Sequence, residues 1–412
     1  LPSVSHIIYQ EIIIYTDIFG YLKKIEDEFI FFSKSIIKMF TEFLYLKDEL
    51  IVSFIISLIY ETDIDEPILY ISELYNSKYY EDVYNIIWQT YFDFYYITNP
   101  TLITLIHDTI TKDKSEKSIE NIHYIIKNLF KLDKSVPVFL MHQQIKIYGA
   151  KSKFTAFRGK KPKFLEKYND VSHKIIQSLE KFNWKNITHF ISSIKENDLP
   201  IVFSDIHNYL LDKKKKNTLD LSIDYSNKKH LLISLIMINY CKDISEKRTI
   251  EKINVDYDMP NYDVIPRKLL DTNRKITIHN ELIGAFDLYR QSISRDELFK
   301  QLWYRWEYFC KDCPLWKERF SEYKAIFDNE KKKLIFPNDD LFEDFYEKYN
   351  LEPDEQSSTV IEPSHVILDD ITSKEFLSKM LIKLNTSSVE IPQTLIDFFS
   401  DFELNNNNNF II

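Results

Sequence analysis

Only four of the chain's 412 residues are glycine, and that scarcity bounds the fold more tightly than any motif does. Tight β-hairpins and turn-rich β folds draw on glycine for backbone conformations with positive φ. Phosphate-cradling loops need it so that backbone N–H groups can approach an anion closely. The stretch "RGKKPK" (158–163) has a Gly-Lys pair, but neither the glycine that opens a Walker loop nor the Ser or Thr that closes it. No Rossmann fingerprint or kinase glycine loop is found either. The expectation is an all-α chain of predominantly helical bundles. At most one short β-hairpin is expected near 136–160, where "SVPVFLMHQQIKIYG" alternates β-branched and polar residues.

Apolar spacing supports this. Ile18, Leu22, Ile25, Phe29, Phe32 and Ile36 recur at helical intervals, and "YYEDVYNIIWQTYFDFYYI" and "SIENIHYIIKNLFKL" continue the pattern. "IVSFIISLIY" (51–60) and "LLISLIMINYC" (231–241) are bounded by charge and far shorter than a membrane span, so they read as core helices. After residue 169 the rhythm resumes, with Asp170 and Asn183 as N-cap candidates. The predicted organisation is an N-terminal helical domain (1–135), a basic aromatic connector (136–168) and a helical bundle (169–300). A C-terminal helical extension (301–350), an acidic linker (351–370) and a final helix with its tail (371–412) follow.

Three cysteines cannot form a disulfide framework, so a reducing intracellular compartment is expected, the cytoplasm, the nucleus or a virion interior. The opening residues carry no signal-peptide pattern, and no membrane partner is expected. Heavy use of Ile, Lys, Asn, Tyr and Phe is what an AT-rich genome encodes. The Asn run at 405–409 is therefore given no chemical reading.

The net charge is −10, yet "KIYGAKSKFTAFRGKKPKFLEK" (146–167) is strongly cationic. Lys146, Lys151, Lys153, Arg158, Lys160, Lys161, Lys163 and Lys167 face a single carboxylate, Glu166, and Phe154 and Phe157 are threaded among them. Cations release counterions from a phosphate backbone, and exposed rings stack on unpaired bases. These ten residues are the candidate nucleic-acid contacts. The alternatives are an acidic protein segment as partner, in cis or in trans, and a solvated loop. The opposite charge sits at 328–370, where thirteen Asp or Glu stand against four Lys. A second basic cluster, 212–217 with Lys228, Lys229, Arg248, Arg267, Lys268, Arg274 and Lys275, either extends the same surface or caps helix ends.

"LWYRWEYFCKDCPLW" (302–316) offers Trp303, Trp306 and Trp316 as candidate partner-binding rings, against core packing of an aromatic helix. Cys310 and Cys313 form a CxxC with only Cys241 left elsewhere, too few for a zinc site, and they read as buried thiols near a helix break at Pro314. No metal site or cofactor is expected. The histidines show no catalytic spacing, and "PNDDLFEDFYEK" (337–348) reads as an acidic helix surface. No catalytic residue is assigned.

Three segments, "HKIIQSLEKFNWKNITHFISSI", "HLLISLIMINYCKDISEKR" and "MPNYDVIPRKLLDTNRK", follow one another within residues 170–290. In that order they resemble the C-terminal helical collar of MgsA/RarA-type AAA+ proteins. The resemblance is without the ATPase module and has Thr272-Asn273 where His-Thr stands in that family. It implies a collar-like oligomerising module that acts with other protein subunits at nucleic acid. The leading expectation is a non-catalytic, nucleic-acid-associated subunit of a replication, repair or transcription assembly. The alternative is a scaffold- or virion-type assembly protein whose basic segment grips an acidic partner. An enzyme ranks third.

Overall fold

The computed structural model describes residues 40–61, 63–149, 154–157, 162–213, 219, 222–244, 305–349 and 389–404. The predominantly helical expectation holds. Six helices come first: α1 (Lys47–Tyr60), α2 (Asp65–Asn76), α3 (Tyr80–Phe94), α4 (Leu102–Glu116), α5 (Ile119–Phe130) and α6 (Pro137–Gln144). A π-helical turn, Ile145–Gly149, continues α6 directly. Next are α7 (Asp170–Glu180), α8 (Trp184–Ser193), α9 (Leu199–Asp212) and α10 (Lys228–Tyr240). The C-terminal part holds α11 (Pro314–Glu322), α12 (Asp339–Tyr349) and α13 (Gln393–Leu404).

Two small antiparallel pairs complete the described architecture. β1 (Lys242–Asp243) pairs with β4 (Val389–Glu390), and β2 (Ile326–Asp328) with β3 (Lys333–Ile335). In the second pair Ile326 lies opposite Ile335, and both side chains are exposed.

No strand of the hairpin expected near 136–160 is found among the described residues of that stretch. Residues 137–149 are helical, and 154–157 form no strand. Pro137 occupies the first turn of α6, where its missing N–H costs nothing. All eight residues of α6 are buried, so no solvated face survives to print a helical period on the sequence. The run that looked like alternation is a helix surrounded on every side. Asp170 is likewise not the cap of α7: Asn169 is, its side chain accepting from the Val171 N–H at 2.9 Å. Asn183 caps α8 as expected, accepting from Asn186 N–H at 3.1 Å. Residues 259–275 and 371–388 lie outside the described residues, and α13 is the helix described within 371–412.

α10 is the centre of the fold. Every residue from His230 to Asn239 is buried, and the helix packs on α3, α6 and α9. α3 also packs on α6, so these three helices form a mutually contacting trio. The first helices are tied by polar groups as well as by their apolar faces. The buried Asp113 of α4 accepts hydrogen bonds from Tyr75 of α2 (3.0 Å) and Tyr84 of α3 (2.7 Å). On α5, His123 meets Ser72 of α2 at 2.8 Å.

The C-terminal extension folds back onto the beginning of the described chain. Trp316 donates to the Glu42 carbonyl (3.2 Å), Arg319 pairs with the Glu42 carboxylate (2.5 Å), and Lys78 pairs with Glu318. Phe320, Phe345, Tyr349 and Trp306 stack around Trp316. Cys310 and Cys313 are buried free thiols just before α11, as expected.

Candidate functional site

The cationic segment is anchored at its start by close backbone packing. The π-helical turn brings Gly149 so near α8 that a Cβ there would sit 2.5 Å from the Ser192 Cβ. Here the absence of a side chain is required. Further on, the buried Asn186 of α8 holds the backbone of Thr155 at both ends, accepting from its N–H (2.8 Å) and donating to its carbonyl (3.0 Å). This pair replaces the strand hydrogen bonds that an extended segment otherwise lacks.

With the backbone so fixed, the rings are placed. Phe157 is half-buried against Phe190, and the Lys181 ammonium lies 5.4 Å from its centroid. Phe154 is 51 % exposed and stacks on His189, centroids 5.6 Å apart and planes at 29°. Phe164 is exposed, while its neighbour Leu165 is buried and roots the segment in the core. Lys146, Lys163 and Lys167 are exposed. Lys167 pairs with Asp212 at 2.8 Å, and that contact holds its ammonium above the usual lysine range.

Lys151, Lys153, Arg158, Lys160 and Lys161 lie outside the described residues. Of the ten candidate nucleic-acid contacts, Lys146, Phe154, Phe157, Lys163 and Lys167 are therefore placed, with Phe157 half-buried. The sequence reading missed what α7 and α8 contribute: Lys181, the stacking partner His189 and the clamp Asn186. Nothing in "KFNWKNITHF" marks these residues in isolation, because their role depends on which segment crosses the helix.

The second basic cluster is spent locally where it is described. Lys213 pairs with Glu180 (2.7 Å) at the end of α9, and Lys228 bonds the Ile223 carbonyl (2.6 Å). The partner-binding assignment needs correction. Trp306 and Trp316 are buried in the aromatic cluster around Phe320 and Phe345, so they build the chain's own core and offer no exposed anchor. Trp303 lies outside the described residues. The acidic helix α12 presents Asp339 and Asp340 in its first turn, where the helix dipole favours them, and buries Phe345.

A second constellation had no sequence signature. Asp93 near the end of α3, His142 in α6 and His230 in the first turn of α10 converge inside the helical trio, all buried. The Asp93 Oδ1 lies 2.8 Å from His230 Nε2 and 3.6 Å from His142 Nδ1. The two imidazoles stack at 4.4 Å with planes at 22°. On its other side His230 Nδ1 shares a hydrogen bond with the Tyr225 hydroxyl at 2.8 Å. Burial alone raises a carboxyl pKa, but the facing histidines outweigh it and bring Asp93 down to about 2.

No helix among the described residues is long and apolar enough to cross a membrane. No family model matches the chain, and neither a curated protein nor a solved structure was found to resemble it.

Proposed function

We propose that the chain is a non-catalytic subunit that binds nucleic acid through residues 146–167 and the adjoining face of α8, within a replication, repair or transcription assembly. The observation behind this reading is the half-exposed Phe154 ring stacked on His189, on a backbone clamped by Asn186. A ring held in place loses little entropy when a base stacks on its open face. The exposed Lys146 and Lys163 supply charge for phosphates in the same segment. In this proposal the helices of 169–300 act as a collar-like assembly surface for other subunits.

The test is fluorescence anisotropy with a labelled single-stranded oligonucleotide across a salt series. Phe154→Ala is expected to weaken binding by ~1–3 kcal/mol, the worth of one stacked base. Lys163→Ala is expected to lower the salt slope by about one. No binding at about 50 mM salt rejects the proposal. A second reading, an assembly protein that grips an acidic partner chain, draws on the Lys167–Asp212 contact. Polyglutamate displacing the oligonucleotide at equal charge concentration favours that reading instead.

A further inference from the structure

We propose that Asp93, His142 and His230 bind one divalent transition-metal ion, zinc in the first instance, at the junction of α3, α6 and α10. The placement is independent of the nucleic-acid reading and rests on different residues.

The argument starts from the donor atoms. Two imidazole nitrogens converge on one carboxylate oxygen, at 2.8 and 3.6 Å, and all three atoms lie within 4.8 Å of one another. An ion ~2.0–2.2 Å from each of three such donors in tetrahedral array sets them ~3.3 Å apart, a value the two observed distances straddle. The two rings stack at 4.4 Å, and each presents a nitrogen to the same carboxylate oxygen. A dication engages both neutral rings and the carboxylate together.

The surroundings match. A ligating histidine characteristically offers its second ring nitrogen to an oxygen that fixes the tautomer, and the Tyr225 hydroxyl stands at His230 Nδ1. With the Nδ1 proton donated to that hydroxyl, the Nε2 lone pair points toward Asp93. Phe92 packs on both Tyr225 and His230 and holds the pair in register. Two imidazoles and one carboxylate suit zinc and its first-row neighbours, whereas magnesium and calcium prefer all-oxygen sets. Three protein ligands leave one coordination position for a further donor. The three helices involved already pack on one another, so the ion would join elements that are far apart in the chain.

The experiment uses the full chain, stripped with a chelator and titrated with Co²⁺ while visible absorption is followed. Zn²⁺ is then added and thermal unfolding recorded. Saturation at one equivalent is expected, with ligand-field bands but no thiolate charge-transfer absorption, displacement of the bands by Zn²⁺, and a raised melting temperature. Asp93→Asn and His142→Ala should abolish the bands, and His107→Ala should keep them. Tyr225→Phe, a mild change that removes only the supporting hydroxyl, should weaken Zn²⁺ binding ~10-fold or more.

The wild-type spectrum keeps the proposal falsifiable even where a ligand variant does not fold. Absence of bands at stoichiometric Co²⁺ overturns it. Bands with thiolate absorption place the ion on the cysteines and overturn it as well. Binding that survives Asp93→Asn or His142→Ala in folded protein does the same, leaving a metal-free Asp–His ion pair.

Discussion

Lys324 stands in the left-handed backbone region (φ 54°), and so do Glu61, Lys117 and Lys332, with φ from 51° to 53°. These are turn and helix-end positions that most chains fill with glycine. A side chain there sits close to a carbonyl oxygen, so each such residue stores strain that a glycine would relieve. Lys324 is exposed and follows α11, and its N–H already closes the helix end on the Ser321 carbonyl. Lys324→Gly is therefore expected to stabilise the chain by about 0.5–1 kcal/mol, read as a higher urea midpoint at an unchanged slope. An equal or lower midpoint would show that the turn is unstrained. The scarcity of glycine was plain in the sequence. Its meaning was only half legible: it ruled out turn-rich β structure, but gave no sign that residues with side chains, lysine foremost, would occupy left-handed positions. The caps divide the same way, since Asn183 was readable and Asn169 was mistaken for its neighbour Asp170.

Between elements, the tie from α2 to α5 carries a pH consequence. Ser72 donates to the Ile68 carbonyl (2.6 Å), so its oxygen receives the Nε2–H of His123. Burial, aided by the nearby Lys127 charge, depresses the His123 pKa to about 4. The unfolded chain takes up its histidine proton near pH 6.5, the folded chain only near 4, so stability is complete above 6.5 and falls across that window. The loss amounts to about 3 kcal/mol by pH 4. His123→Gln should flatten it, and denaturant midpoints at pH 7 and 4.5 measure the difference. Parallel losses in both proteins would assign the acid sensitivity elsewhere. Helices with a wet face, such as α3 and α5, were legible from their apolar spacing. α6 was not, because a helix buried on every side loses that period. The Asp93–His142–His230 cluster was invisible for a related reason: each residue lies on a separate helix, and no local spacing encodes which helices meet.

Across the whole molecule, the contact that most shapes behaviour is the return of α11 onto the start of the described chain. Trp316 is buried there, bonded to the Glu42 carbonyl, stacked on Phe320 and covered by the Arg319 guanidinium at 4.6 Å. Trp316→Ala is expected to cost about 3–5 kcal/mol and to unfold the N-terminal helices together with the extension, as followed by denaturation with two probes. A cost under about 1 kcal/mol, or two separate transitions, would mean that the extension is an independent unit. The groups that engage the Ser77 carbonyl, the Glu42 carbonyl and carboxylate, and the Lys78 ammonium reside between Cys313 and Arg319, so they leave the ribosome long after α1 and α2 have done so. Throughout that interval the nascent first helices wait with this docking surface uncovered. Shielding by a chaperone is most valuable then, and a premature stop before residue 313 removes the piece that would have completed them.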